Sequence, residues 1–562
     1  MTSETRVLVI GLDGATWSVL DPWIRDGTLA HLGRLRDRGT WGPLRSTFPP
    51  ITPAAWGTFM TGKRPGKHGV FHFVPLFESS GAASADAGRQ AIVSANSLRS
   101  ATLWDQLAHH GRRVGMVNIP LTYPPRAVNG IMVTGMLTPP GAAVFTYPPE
   151  LGARLDGYMI DLSRYADKVP FVDAIEGEDA APSLSLIAEY REMLEQRALT
   201  LERLMLEEPW DFFMAVFMDT DRLGHYLWGF HGGGGSGDPA LDDAIRAHYV
   251  RLDEIIGRLV ELAGPDVATF IVSDHGMGPR NSRRFHVNAW LREQGWLKTA
   301  GSAAGGQTSA RADSLLQRLR IPRDRVGRIA LALPVVRSSR LVKSASKGSG
   351  RPVDEAGSRA IGVPLFNHVF GIRLTDLEPE RSRVRDAIIA ALLALRDPET
   401  GRPVVDRITL GADYYQGPYA VGTPDLIVEA DPDYAANFQV QYYSAPVTRL
   451  QVVSARGHHR MDGILIAAGP GIDAAPSPLE GARIEDLAPT ILRLLGVPIP
   501  DDVDGLPLEG LFDPTAASVG PARYEPPRGR WEGGPTAGPS HEISAEEAAE
   551  LTLRLEALGY LD

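Results

Sequence analysis

The sequence predicts an α/β fold: a mainly parallel central sheet with helices on both faces, an inserted cap segment and a C-terminal helix. Three observations carry this. Short runs rich in Val, Ile, Phe and Met alternate with longer amphipathic stretches, the pattern of strands buried on both faces beneath covering helices. The 562 residues, 43% hydrophobic and 22% charged, are enough for a large core and exclude disorder as the main state. The polar residues that follow the apolar runs are mostly Asp and His, at the strand ends where such sheets bind ligands.

In chain order, the predicted strands are Val7 to Leu12, Val114 to Asn118, Phe212 to Met218, Thr269 to Ser273, Asp425 to Glu429 and Ile464 to Ala468. Helical stretches between them include Ser183 to Glu207 and Asp242 to Ala263. Two segments depart from the pattern. Eleven Arg and Lys between Arg311 and Arg351, against Asp313 and Asp324, give a local charge of +9 inside a chain of net −11. Gly/Ser/Ala-rich joints flank this insert. At the other outlier, a Pro/Gly-rich linker from Pro514 to Pro539 leads to Ser544-Ala545-Glu546-Glu547, a capping box opening a helix that runs to Leu558. The expected organisation is a discontinuous catalytic core over 1–298 and 360–512, a basic insert or cap over 299–359, and the linker and helix over 513–562.

Composition narrows the chemistry. With no Cys, disulfides, thiolate zinc sites, cysteine nucleophiles and a formylglycine made from Cys are all excluded. The acidic net charge argues against nucleic acid as the main partner. The chain shows no run of 18 apolar residues and no leader ahead of Val7, so a cytoplasmic protein is expected.

Asp13 follows the first strand in Gly11-Leu12-Asp13-Gly14; alone, this is also an ordinary Asp-Gly turn. Thr52, followed by Pro53 and Ala54-Ala55, reads as an N-cap with Pro in the first turn. Its hydroxyl would lie where free amides and the positive helix end favour a phosphoryl group. The competing reading is a capping Thr without chemistry. Asp221 and His225 are spaced i, i+4 and share a face if a helix starts there, with Asp219 as the competitor. Phe270 to Val272 runs through Ser273 into adjacent Asp274 and His275 and then a glycine turn. A His follows in Gly457-His458-His459-Arg460. Oxygen and imidazole donors without thiolates suit Zn²⁺ or Mn²⁺. Their number exceeds one tetrahedral site and divides into two metals, the arrangement that clamps a phosphoryl group.

These residues, in this order, resemble the alkaline phosphatase superfamily and most closely its type I phosphodiesterase/nucleotide pyrophosphatase branch. The resemblance runs from about Val7 to Leu511 and includes Pro49 to Trp56, Thr61-Gly62, His68-Gly69, Asp274-His275-Gly276 and Asp486 to Leu492. It implies an alkaline phosphatase-like fold, with one metal held by Asp13, Thr52, Asp274 and His275 and another by Asp221, His225 and His459. The family's Gly-x-His pattern favours His459 over His458, and its Asp-x-x-x-His spacing favours Asp221 over Asp219. Where the nucleotide pyrophosphatases carry Thr-Phe-Pro-Asn, this chain has Thr52-Pro53-Ala54-Ala55, so the phosphate-contacting Asn is Ala55 here.

The expected activity is hydrolysis of small phosphate esters, mainly phosphodiester or pyrophosphate bonds, through a phosphothreonine on Thr52 and two divalent cations. Alternatives within the superfamily are a phosphomonoesterase or a phosphonate hydrolase. From another class comes a metal-bound binding protein that uses residues 311–351 on a membrane or acidic partner. His68, His72, Lys63, Arg64, Asn118 and Arg359 lie near the motifs, each with a structural role as the simpler reading.

Overall fold

The computed structural model describes residues 5–77, 92–155, 157–161, 181–228, 238–299, 353–440, 446–449, 457–516, 519–533, 543–557 and 560. An eight-stranded sheet runs through its centre in the order Gly39–Arg45, Asp462–Ala468, Val267–Val272, Arg6–Leu12, Phe212–Phe217, Val114–Ile119, Gly130–Thr134, Thr146–Tyr147. From Val267–Val272 to Gly130–Thr134 every pairing is parallel. Asp462–Ala468 is antiparallel to both its neighbours, and Thr146–Tyr147 is antiparallel to Gly130–Thr134.

Every residue of Phe212–Phe217 and of Val267–Val272 is buried, as expected of strands covered on both faces. The covering helices include Ala181–Glu207 and Pro239–Ala263, which pack on each other. Asp238 starts the second of these by accepting a hydrogen bond from the Ala240 amide.

Strand direction decides what meets at one sheet edge. Arg6–Leu12, Phe212–Phe217 and Val267–Val272 are parallel and deliver Asp13, Asp219 to Asp221 and Asp274 together at their carboxyl ends. Because Asp462–Ala468 runs the opposite way, its beginning lies at that same edge and brings His459 with it. Gly39–Arg45 pairs antiparallel to Asp462–Ala468, so its end, leading to Thr52, arrives there too. Its composition, Gly-Thr-Trp-Gly-Pro-Leu-Arg, does not read as a strand, and a Pro is tolerated because the strand lies at the sheet edge.

One predicted strand belongs elsewhere. Asp425 to Glu429 was expected in the central sheet; the strand is Leu426–Ala430, within a separate antiparallel sheet of order Ala360–Phe366, Val369–Leu374, Leu426–Ala430, Val405–Leu410. That sheet has its own core, in which Phe370, Ile372 and Val428 meet Ile388 and Leu392 of the helix Glu380–Ala394. An apolar run alone does not say which of two cores buries it. The two sheets are joined by an Arg45–Glu429 ion pair and by Phe48, Tyr414 and Ile427 in a bridging apolar cluster. The basic segment 311–351 lies outside the described residues; Thr299 and Val353, which flank it, bridge each other. No helix among the described residues is long and apolar enough to cross a membrane.

Candidate active site

The first strand ends at Asp13, buried, whose Oδ2 accepts a hydrogen bond of 2.7 Å from the indole Nε1–H of Trp56. Gly14 follows with φ +67°, and a Cβ there would lie 2.9 Å from the Asp221 Cα. Glycine is therefore required by both conformation and close approach. The Gly14 amide donates to Asp274 Oδ1 at 3.3 Å. His275, next in the chain, brings Nε2 to 3.4 Å from Asp274 Oδ2 and 3.6 Å from Asp13 Oδ1. Its Nδ1–H donates to the Gly276 carbonyl, 3.0 Å away, so Nε2 presents its lone pair to the two carboxylates.

Asp221 and His225 lie on the helix Asp219–Leu227, one turn apart on one face. Asp221 Oδ1 is 3.3 Å from His225 Nε2 and 3.4 Å from His459 Nε2, and these two nitrogens are 2.9 Å apart. His459 Nδ1–H donates to the Pro50 carbonyl at 2.8 Å, which again turns the Nε2 lone pair inward. Two donor groups result, Asp13/Asp274/His275 and Asp221/His275/His459, each with its atoms within 4.8 Å of one another and sharing His275.

The competing residues fall away from this cluster. Asp219 faces His248 and Arg197, at 3.2 and 3.7 Å. His458 is only partly buried, with its ring centroid 6.5 Å from that of His225.

Thr52 is the first residue of the helix Thr52–Thr61, and the N-cap is Ile51. The expectation that Thr52 is the cap is thereby corrected by one position, since Thr52 already has helical backbone and its hydroxyl makes no capping bond. The segment around it is anchored on both sides, by Pro50 to His459 and by Trp56 to Asp13.

Among the buried polar atoms without a hydrogen-bond partner in the described residues, five lie in this group of residues: Asp13 Oδ1, Thr52 Oγ1, Asp221 Oδ1, Asp274 Oδ2 and His275 Nε2. Buried polar groups are ordinarily paired, and unpaired carboxylate oxygens are costly. Burial, then the neighbouring Asp221 charge, pushes the Asp13 carboxyl well above the usual range, and burial with Asp13 and Asp221 does the same to Asp274. Burial also pushes Asp221 up, but His225 and His459 outweigh it and hold this carboxyl well below its ordinary value. Burial and the nearby His459 keep His275 neutral, its pKa well below 6.5. Crowded carboxylates with inward-facing imidazole lone pairs suit divalent cations.

The residues near the motifs have structural partners. His68 bonds Thr58, Lys63 pairs with Asp502, Arg64 with Glu485 and Arg359 with Asp376, while Asn118 Nδ2 donates to the Val216 carbonyl. His72 is buried, its ring 6.3 Å from Phe366. Sequence reasoning assigned Trp56 no role and missed Tyr560, whose hydroxyl bonds Asp221 Oδ2. No local signal marks a residue that acts across 339 positions.

The model of the type I phosphodiesterase/nucleotide pyrophosphatase family matches residues 7–341, more than half of the chain. No curated protein matches the sequence. Similar solved structures include phosphonoacetate hydrolase from Sinorhizobium meliloti 1021 in complex with phosphonoacetate, at 15% identity and TM-score 0.49, covering 86% of this chain and 94% of that one. Another is murine ectonucleotide pyrophosphatase/phosphodiesterase 5, in an inactive form with AMP, at 12% identity and TM-score 0.46, covering 91% of this chain and all of that one.

Proposed function

The chain belongs to the type I phosphodiesterase/nucleotide pyrophosphatase family of phosphoester hydrolases, and on that footing we propose that it cleaves phosphodiester or pyrophosphate bonds through a phosphothreonine on Thr52. We assign one divalent cation to Asp13, Thr52, Asp274 and His275 and a second to Asp221, His225 and His459, with Zn²⁺ or Mn²⁺ fitting these oxygen and nitrogen donors. The observation that carries the reading is the convergence of unpartnered, buried donor atoms at the sheet edge reached by the Thr52 segment.

When bound, the cations supply Lewis acidity and neutralise phosphoryl charge. The chain's own residues do the rest. Thr52 Oγ1 gives up its proton and attacks phosphorus as the P–O bond to the leaving group breaks and that oxygen departs, taking up a proton. Water then attacks the phosphothreonine, the P–Oγ1 bond breaks, the phosphoryl product leaves and a proton from the water returns to Oγ1. Thr52 begins a ten-residue helix, whose positive dipole end would favour a phosphoryl group on its oxygen. His275 and His459 each hold a proton on Nδ1 through a backbone carbonyl, which keeps Nε2 available. Ala55 offers no side-chain amide to a phosphate, so other donors must orient the substrate.

The test is Thr52→Ala assayed on bis-p-nitrophenyl phosphate beside p-nitrophenyl phosphate. Loss of turnover with both cations retained is expected. Undiminished hydrolysis by the variant overturns the nucleophile assignment, and wild-type preference for the monoester overturns the diester reading.

A further inference from the structure

Asp221 is bonded from outside the ligand set just assigned. We propose that Tyr560 is a positioning residue of this centre: its hydroxyl holds Asp221 Oδ2, so that Oδ1 is the oxygen presented to His225 and His459. The inference rests on the metal reading above.

The contacts divide the carboxylate cleanly. Oδ2 accepts from the Tyr560 hydroxyl and lies 3.5 Å from Arg222 Nη1, whereas Oδ1 lies within 3.4 Å of both imidazoles and bonds to nothing among the described residues. The phenol accepts from Arg222 Nη1 at 2.9 Å, so its own proton is directed to Asp221. A free carboxylate exchanges its oxygens by rotating about a broad two-fold torsion. Here rotation would break the phenol contact and move Oδ2 away from Arg222, a buried guanidinium also paired with Asp161 at 3.2 Å.

The C-terminal segment is built to deliver this hydroxyl. Ser544 and Glu547 form a capping box, with bonds of 2.7 and 3.2 Å, at the start of the helix Ala545–Ala557. Leu551 and Leu555 bury in the main core, and Arg554 pairs with Asp161 at 3.2 Å. The Tyr560 amide closes back on the Leu555 carbonyl, and its ring packs 4.9 Å from Phe73 and 5.1 Å from His225. Tyr560 is 3% exposed. Partners that orient a ligand in this way are worth roughly 10–100-fold in metal affinity.

The experiment is Zn²⁺ titration of metal-free, full-length wild type and Tyr560→Phe against a chromogenic chelator, with the melting temperature of each metal-free protein measured alongside. Phe keeps the ring and its packing while removing the hydroxyl. Expected are two sites in wild type, one of them about 10–100-fold weaker in the variant, and metal-free melting close to wild type. Equal Zn²⁺ affinity overturns the proposal, whether melting falls, which makes Tyr560 structural only, or turnover rises, which makes it a plug. If wild type takes up no Zn²⁺, the ligand assignment fails and this proposal falls with it, a failure distinct from that of Thr52→Ala.

Discussion

The imidazoles of His275 and His459 are stacked, with ring centroids 3.6 Å apart and planes 18° from parallel. Each donates through Nδ1 to a backbone carbonyl, of Gly276 and Pro50 respectively. Two segments far apart in the chain thus present their Nε2 atoms side by side, and the stack joins the Asp13/Asp274 group to the Asp221 group.

His459 and its neighbour His458 should therefore behave differently. His459→Ala removes an Nε2 that lies 3.4 Å from Asp221 and should cost one of the bound cations and most of the activity. His458→Ala, at a partly exposed position, should leave both close to wild type. Metal content by elemental analysis after gel filtration checks this, and equal loss in both variants would refute the assignment.

Trp56→Phe leaves Asp13 Oδ2 without its indole donor. A buried carboxylate oxygen left unsatisfied costs about 1–3 kcal/mol, and loss of a bond that orients a ligand weakens metal retention roughly 10–100-fold. Denaturant unfolding of the metal-free protein gives the first quantity and chelator competition the second.

Asp219→Ala and Asp221→Ala separate stability from function. Removing Asp219 strands the buried Arg197 guanidinium, a loss of about 3–5 kcal/mol for a broken buried pair; cation binding per folded molecule should persist. Removing Asp221 should abolish one cation site. Unfolding midpoints read beside metal content distinguish the two, and a stable, metal-free Asp219→Ala protein would reverse the roles.

His68 predicts an acid dependence. Its Nε2–H donates to Thr58 Oγ1, whose own proton goes to the Ala54 carbonyl, and its Nδ1 accepts from the Val70 amide. Burial pushes the imidazole down from 6.5 to about 3. Between those values the unfolded chain takes up a proton that the folded chain does not, so stability falls as pH drops from about 6.5 toward 3, by at most roughly 1.4 kcal/mol per pH unit for this group. Above about 6.5 the contribution is constant. His68→Gln should flatten the fall in unfolding midpoint over that window, and parallel curves for variant and wild type would count against it.

Much of the candidate site was legible because its motifs are local. A strand ending in Asp13-Gly14, an i, i+4 pair at Asp221 and His225, and adjacent Asp274 and His275 before a glycine each declare their geometry within a few residues. The strand at Gly39–Arg45 was hidden by its Gly and Pro, whereas the strand at Asp425 to Glu429 was legible and only its sheet was not, because its apolar character fits either one. Trp56 reads as core until its N–H is seen on Asp13.

The sequence by itself determined the set of candidate donors, because the order of apolar runs and the polar residues after them is written along the chain. Only the tertiary structure decided that antiparallel Asp462–Ala468 returns His459 to the edge holding Asp13, that Asp219 turns to Arg197 and His248, and that Tyr560 reaches Asp221 from 339 residues away. The physical reason is common to all three: each depends on how distant segments pack against one another, which local periodicity does not record.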